Sequence, residues 1–251
     1  MSAEIQKKDL IIELSLLQDQ WKKKFSEEIL LFPFHGKLEI KDFLIKQFND
    51  FDPRLFTNKF IPQTLNLNGE SYLSSLSHCQ SQGLFMISKT PTTENILGFG
   101  VDIEQKSRLT KQLIKRISSS KEIQRLSENL DLSFHLWTVK ESSFKALPVA
   151  IQPRVISKIT LETFSILSHS TDSFTTIKTS TIKDTYDSFF HSEADSSLIT
   201  FEATTEPKNQ TGEMSQIDIS IMGLSFTTKD LVISLALSKK AENLNKVQLP
   251  V

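Results

Sequence analysis

An alternation of polar and apolar residues in the second half of the chain restricts the fold more than any other feature. Between Arg154 and Leu237 the chain is rich in Ser, Thr and β-branched residues, and segments such as 158–162 and 217–221 change type at every position. Because successive strand side chains point to opposite faces, this pattern predicts several antiparallel strands. We expect a Ser/Thr-rich strand region at about 154–230, with a last strand over 231–237.

Three further strands are predicted in the first half, over residues 71–78, 83–88 and 96–103, and we expect them to form one antiparallel sheet. Residues 65–69 and 204–213 are predicted to be loops. Apolar residues at spacings of three and four, together with the positions of the prolines, indicate five helices. Their predicted ranges are 3–31, 41–48, 110–117, 120–129 and 133–147.

The composition excludes several classes of protein. The 251 residues carry 29 Lys and Arg against 30 Asp and Glu, so no basic field indicates a nucleic-acid partner. The single cysteine, Cys79, excludes an internal disulfide and any site with several cysteine ligands, and it fits a reducing compartment. No run of about 18 uncharged apolar residues indicates a membrane-spanning helix. We therefore expect a soluble, cytoplasmic protein.

Two carboxylates stand at the end of a predicted apolar strand. Asp102 and Glu104 are two residues apart, so both side chains point to one face, opposite Val101 and Ile103. Two like charges on one face repel each other unless a cation or a basic group lies between them. Taken alone, the pair is typical of a strand end that is exposed to water.

A predicted helix offers a third carboxylate. Trp137, Glu141 and Lys145 are spaced four apart, which places an aromatic ring, an acid and a base along one helix face. A Glu–Lys pair at this spacing is common on helix surfaces and contributes only a few tenths of a kcal/mol. If Glu141 faces the strand, however, three carboxylates without a Cys or His cluster suit a hard cation, chiefly Mg²⁺. Lys145, one turn on, could then contact a phosphate.

Another predicted strand ends near His78, which follows Ser77. A single histidine usually has a packing or hydrogen-bonding role, and the alternative here is a phosphate contact helped by the Ser77 hydroxyl. Cys79 stands next to His78, but no matching His and Asn or Asp pattern supports a cysteine nucleophile.

Taken in order, these segments resemble the 4′-phosphopantetheinyl transferase superfamily. The family's signatures are a G-[VI]-D-[IV]-E strand and a W-x-x-K-E-[SA]-x-x-K helix about forty residues on. The chain has Gly-Val-Asp-Ile-Glu at 100–104 and Trp-Thr-Val-Lys-Glu-Ser-Ser-Phe-Lys at 137–145, so Asp102 and Glu141 are 39 residues apart. Ser77 and His78 precede both motifs, and the resemblance covers about residues 72–148.

The resemblance implies a fold and an activity. The fold would be α+β, with two similar halves related by a pseudo-twofold, as in the longer, monomeric class of the family. We expect an N-terminal half at 1–97, a C-terminal half at 98–238 and a tail at 239–251. The implied reaction moves the 4′-phosphopantetheine arm of coenzyme A to a serine of an acyl or peptidyl carrier protein, with Mg²⁺, releasing 3′,5′-ADP.

The resemblance also implies roles for individual residues. Asp102, Glu104 and Glu141 would hold Mg²⁺. Residues that would contact coenzyme A are Ser77, His78, Lys140 and Lys145, and the catalytic residues would be Glu141, Lys145 and Glu122. The base that takes the serine proton could be Glu141, Glu122 or a water molecule.

One departure from the family leaves other functions open. The N-terminal half lacks the R-x-x-G-x-x-L-x-R helix that is usual in the longer class. A non-catalytic relative that binds coenzyme A or a carrier protein is therefore one alternative. An unrelated interaction protein, with both acidic stretches on a solvated surface, is another.

Overall fold

The chain folds into two antiparallel β-sheets with helices packed against them. The computed structural model describes residues 3–35, 37–47, 63–67, 69–80, 82–128, 132–168, 175–176, 197–205 and 219–240. The predicted α+β class is thereby confirmed. Within these residues, no helix combines the length and the apolar character that crossing a bilayer requires.

The first sheet has four strands in the order β1-β4-β3-β2. Its antiparallel pairs join β1 to β4, β4 to β3 and β3 to β2. The elements of this part of the chain are α1 (Ala3–Phe25), β1 (Ile29–Phe34), α2 (Lys37–Gln47), β2 (Thr64–Leu67), β3 (Glu70–Cys79) and β4 (Gln82–Ser88).

The second sheet has six strands in the order β5-β10-β9-β8-β6-β7, so β5 is an edge strand. A short 3₁₀ helix, Lys106–Arg108, follows β5 directly. The elements are β5 (Ile96–Gln105), α3 (Lys111–Ile117), α4 (Ser120–Glu128), α5 (Leu132–Ala146), β6 (Ile159–Ser168), β7 (Thr175–Thr176), β8 (Leu198–Thr205), β9 (Ile219–Thr227) and β10 (Leu231–Lys240).

The first predicted helix is wrong beyond Phe25. Ser26 adopts a left-handed conformation with φ of 57°, which breaks the helix. The apolar residues that follow keep the spacing of the helical stripe. They nevertheless form strand β1 and pair with β4. Ile29 is buried as expected, but it lies in a strand.

The sequence predicted one sheet that contains β3, β4 and β5. This prediction is wrong, because β5 belongs to the second sheet. It pairs with β10, and Asp102 lies opposite Ser234 in that pair. The loop predicted at 65–69 is wrong in part, because Thr64–Leu67 is a strand, whereas Gly69, with φ of 81°, lies in the turn before β3.

Other predicted boundaries also move. Helix α2 begins four residues earlier than predicted. Residues 204–205 end β8 and residues 239–240 end β10. Residues 206–213 of the predicted loop and 241–251 of the predicted tail lie outside the described part. The division of the chain at residues 97 and 98 stays a prediction.

Helix α1 packs between the two sheets. Its Trp21 is fully buried and meets the ring of Phe99 on β5 edge-on, with ring centroids 5.8 Å apart. Phe99, Val101 and Ile103 alternate along β5 and share this core with α1. The opposite face of β5, which carries Gly98, Gly100 and Asp102, lies against α5. The carboxylate is thus placed between a strand and a helix.

A buried polar network lies between helix α5 and the second sheet. His135 on α5 contacts the Ser225 hydroxyl through Nδ1 at 2.7 Å and the Ser197 hydroxyl through Nε2 at 3.0 Å. Ser225 in turn contacts Ser234, which donates to Thr138 on α5 at 2.7 Å. Burial, with a smaller contribution from the charge of Lys106, lowers the pKa of His135 to about 3.

We expect this histidine to make the fold acid-sensitive. Its pKa falls from 6.5 to about 3 on folding, so the unfolded chain binds the proton more tightly between these values. Above pH 6.5 His135 does not lower the free energy of unfolding. Below pH 6.5 the free energy of unfolding falls by about 1.4 kcal/mol per pH unit because of this residue, until about pH 3. Urea unfolding of the wild type and His135→Gln at a series of pH values measures this. Equal slopes for the two proteins would contradict the prediction.

Candidate active site

Two glycines let helix α5 approach strand β5 closely. A Cβ atom on Gly100 would fall on the carbonyl oxygen of Ser142, and one on Gly98 would fall on that of Ala146. Backbone therefore packs directly on backbone at these positions. This approach brings Glu141 and Lys145, which are one turn apart on α5, next to the end of β5.

Asp102 is buried and hydrogen-bonded through one of its two oxygens. Oδ1 accepts from the Lys145 ammonium at 2.7 Å and from the Ser77 hydroxyl of β3 at 2.7 Å. Lys145 also donates to the Val101 carbonyl at 3.2 Å, and its side chain is 28% exposed. Burial raises the pKa of Asp102 and the Glu104 carboxylate adds to the rise, whereas Lys145 and Ser77 oppose it.

Glu104 has a similar set of contacts at the end of the same strand. Its Oε1 accepts from the Cys79 thiol of β3 at 2.7 Å, from Arg108 Nη1 at 3.2 Å and from the Gln105 backbone at 2.8 Å. Burial is the main cause that raises the pKa of Cys79, and the hydrogen bond to Glu104 adds to it. The thiol therefore stays protonated and can donate.

Glu141 is the third carboxylate. Burial raises its pKa, and the charges of Asp102 and Glu104 raise it further, while Lys145 opposes the change. All three carboxylates therefore lie within electrostatic range of one another. The prediction that α5 brings a third acid to the strand pair agrees with this arrangement.

The three side chains offer oxygen donors of the kind that hard cations bind. Asp102 Oδ2, Glu104 Oε2 and both oxygens of Glu141 accept no hydrogen bond from a described residue, so four carboxylate oxygens are available. Carboxylate oxygens are the ligands that Mg²⁺ prefers in proteins. Among the described residues, however, no group of three His, Cys, Asp or Glu side chains lies close enough together to hold a metal ion. Lys145 and Arg108 supply the positive charge instead.

Glu122 and Lys140 are not brought to this cluster. The Lys140 side chain is fully buried, and its ammonium donates to Glu122 Oε2 at 2.9 Å and to the carbonyl oxygens of Ile117 and Ile159 at 2.8 and 2.6 Å. These three bonds use all of its donors. Glu122 also accepts from the backbone of Ser119 and Leu161. These contacts give both residues a structural role, and the expectation that Lys140 binds coenzyme A and Glu122 acts in catalysis stays a prediction.

Ser77 and His78 point to opposite faces of β3. Ser77 is buried and bonded to Asp102, whereas His78 is exposed. Since neighbouring strand residues alternate in direction, the two side chains do not act on one group together. The predicted phosphate contact of His78 stays a prediction, and the Ser77 hydroxyl is directed to a carboxylate.

Sequence reasoning missed four residues of this region. Gly98 and Gly100 permit the close approach of α5, and their spacing of two at the start of the acidic stretch was the signal. The hydrogen bonds that Cys79 and Arg108 donate to Glu104 are not predicted from the sequence. The i,i+4 spacing of Glu104 and Arg108 was the available clue for the latter.

Comparison with known proteins gives a family match over part of the chain. A family model described as the 4′-phosphopantetheinyl transferase superfamily matches residues 98–205. The match includes Asp102, Glu104, Glu141 and Lys145, and it begins after Ser77 and His78. It confirms the resemblance that the two acidic stretches indicated. No curated protein matches the chain.

Proposed function

We propose that the protein moves the 4′-phosphopantetheine arm of coenzyme A to a serine of a carrier protein, and the match of residues 98–205 to the 4′-phosphopantetheinyl transferase superfamily supports this proposal. The observation that carries the proposal is the convergence of Asp102, Glu141 and Lys145 at the glycine-lined contact of β5 and α5. We further propose that it acts as a cytoplasmic monomer.

The proposed reaction is a phosphoryl-type transfer. The serine oxygen forms a bond to the β-phosphorus of coenzyme A, which bears the pantetheine, and the bond from this phosphorus to the bridging oxygen breaks. The products are the phosphopantetheinyl-serine and 3′,5′-ADP. The obstacle is negative charge, which repels the nucleophile and grows on the bridging oxygen as its bond breaks.

Asp102, Glu104 and Glu141 would hold the Mg²⁺. When bound, the ion neutralises pyrophosphate oxygens, which lowers such a barrier by several kcal/mol. Lys145 would turn from Asp102 to the pyrophosphate and stabilise the charge that develops on the leaving group. Its 28% exposure leaves the ammonium free to make this movement.

The serine proton needs an acceptor near the nucleophile. Because Glu122 is enclosed by Lys140 and two backbone amides, Glu141 is the side chain that remains for this task. A water molecule is the other acceptor that fits the proposal.

Mass spectrometry of a panel of apo-carrier proteins tests the proposal directly. Each carrier is incubated with coenzyme A, Mg²⁺ and the full chain, and we expect at least one to gain the mass of one phosphopantetheine arm. Omission of Mg²⁺ should prevent the gain. If the protein binds coenzyme A but no carrier gains mass, the alternative of a non-catalytic relative is favoured. The bonds of Lys145 and Arg108 to the carboxylates are the observation behind that alternative.

Replacing Lys145 should have opposite effects on turnover and on metal binding. In Lys145→Ala we expect transfer to fall on the order of 100-fold, because the charge on the pyrophosphate loses its cation. Affinity for Mn²⁺ should rise, since the ammonium no longer competes for Asp102. Label transfer and electron paramagnetic resonance of free Mn²⁺ measure the two quantities, with the exposed Lys115→Ala as control. A loss of turnover below about threefold would remove Lys145 from the phosphate site.

A further inference from the structure

Strand β3 runs beside the edge of β5 that pairs with no other described strand, and it contacts β5 through side chains. Three residues on one face of β3 make these contacts at spacings of two. Ser75 Oγ accepts from the Val101 backbone N–H at 3.0 Å, and the next two residues on this face bond to the carboxylates. The two strands belong to different sheets, so the bonds connect one sheet to the other.

The two carboxylate contacts are equivalent in position. Ser77 donates to Asp102 and Cys79 donates to Glu104, each at 2.7 Å, and each pair is separated by 25 residues along the chain. The period of two on β3 therefore matches the period of two on β5. Both donors are buried, so neither hydrogen bond competes with bulk water.

Each carboxylate is held by one neutral side-chain donor and one cation, and Glu104 also accepts from the Gln105 backbone N–H. The cations, Lys145 on Asp102 and Arg108 on Glu104, offset the negative charge that a metal ion needs. A hydroxyl or thiol donor fixes the orientation of the carboxylate without removing its charge. In both residues the neutral donor engages one oxygen and leaves the second without a partner among the described residues.

We propose that Ser77 and Cys79 are positioning residues that orient Asp102 and Glu104 for the divalent cation, so that the first sheet sets the metal affinity of the second. This inference rests on the proposed function, because it uses the same three-carboxylate site. It gives Ser77 a role other than contact with coenzyme A, and it gives Cys79 a role that needs no nucleophilic chemistry.

Binding of Mn²⁺ to the full chain, followed by electron paramagnetic resonance of the free ion, tests the inference without a transfer assay. We expect Ser77→Ala and Cys79→Ala each to weaken binding about 10- to 100-fold, the usual effect of losing a group that orients a metal ligand. The reciprocal exchanges Ser77→Cys and Cys79→Ser keep a donor at each position. Both should bind Mn²⁺ with close to wild-type affinity.

Ser75→Ala is the matched control, because Ser75 lies on the same face of the same strand and bonds to backbone instead of carboxylate. It should lower the melting temperature about as much as Ser77→Ala but leave Mn²⁺ affinity unchanged. An equal loss of affinity in Ser75→Ala would overturn the proposal, since packing of β3 on β5 would then explain the effect. Wild-type affinity in Ser77→Ala and Cys79→Ala would also overturn it.

The outcome for Asp102→Asn separates this inference from the proposed function. If the wild type binds Mn²⁺ and Asp102→Asn does not, the metal site stands whatever the β3 variants show. If the wild type itself binds no Mn²⁺, the metal site of the proposed function fails, and the role of Ser77 and Cys79 fails with it.

Discussion

Asp102→Asn is expected to abolish transfer of a fluorescently labelled phosphopantetheine arm to an apo-carrier protein, with a loss on the order of 1,000-fold or more. Asp102 is the most buried of the three carboxylates, and it accepts from both Lys145 and Ser77. The asparagine removes the charge that holds the cation and neutralises the site, while its side-chain oxygen keeps a hydrogen-bond acceptor. Label transfer under saturating coenzyme A and Mg²⁺ measures the effect.

The same variant should fold normally. Burial raises the pKa of Asp102, so the protein environment already opposes its charge, and a neutral amide removes that penalty. Lys145 loses its partner but is partly exposed and can reach water. Circular dichroism and thermal unfolding check this point, and Asp42→Asn, at an exposed position on α2, is the control. Full transfer activity in Asp102→Asn would overturn the metal-site assignment.

The grouping of the candidate-site residues could be expected because these residues follow local periodicities. Period two along β5 places Asp102 and Glu104 together, and four-residue spacing on α5 does the same for Glu141 and Lys145. Strand β5 and helix α5 lie close together because Gly98 and Gly100, which precede the carboxylates, have no side chain to separate the two backbones. The position of Lys145 on Asp102 follows from that contact.

Features that depend on distant parts of the chain could not be predicted in this way. The partner of β5 is β10, which lies about 130 residues further on, and no local pattern distinguishes it from the nearer β4. Strand β1 continues the apolar spacing of α1, and only residues 26–28, which include the left-handed Ser26, separate the two elements. In both cases tertiary pairing overrides a correct reading of periodicity.

The motif lysine shows why a side chain's role is harder to predict than its position. Lys140 was expected to contact coenzyme A because it stands next to Glu141. Neighbouring helix residues differ in direction by about 100°, however, so when Glu141 faces β5, Lys140 turns toward the interior. There its ammonium joins the ends of three elements through Ile117, Glu122 and Ile159.

Lys140→Met should therefore destabilise the fold by about 3–5 kcal/mol, the usual cost of leaving one member of a buried ion pair without its partner. The Glu122 side chain is 2% exposed and cannot reach water, and two backbone carbonyls lose their donor as well. Urea unfolding at neutral pH measures the change. Lys115→Met, at an exposed position on α3, should leave stability nearly unchanged.

The double variant Lys140→Met with Glu122→Gln tests whether the loss comes from the unpaired charge. A neutral glutamine can still accept from the backbone of Ser119 and Leu161, so we expect it to recover part of the stability that Lys140→Met loses. A double-mutant cycle gives the coupling energy of the pair. A loss below about 1 kcal/mol in Lys140→Met would contradict the structural role and return Lys140 to the residues that could bind a ligand.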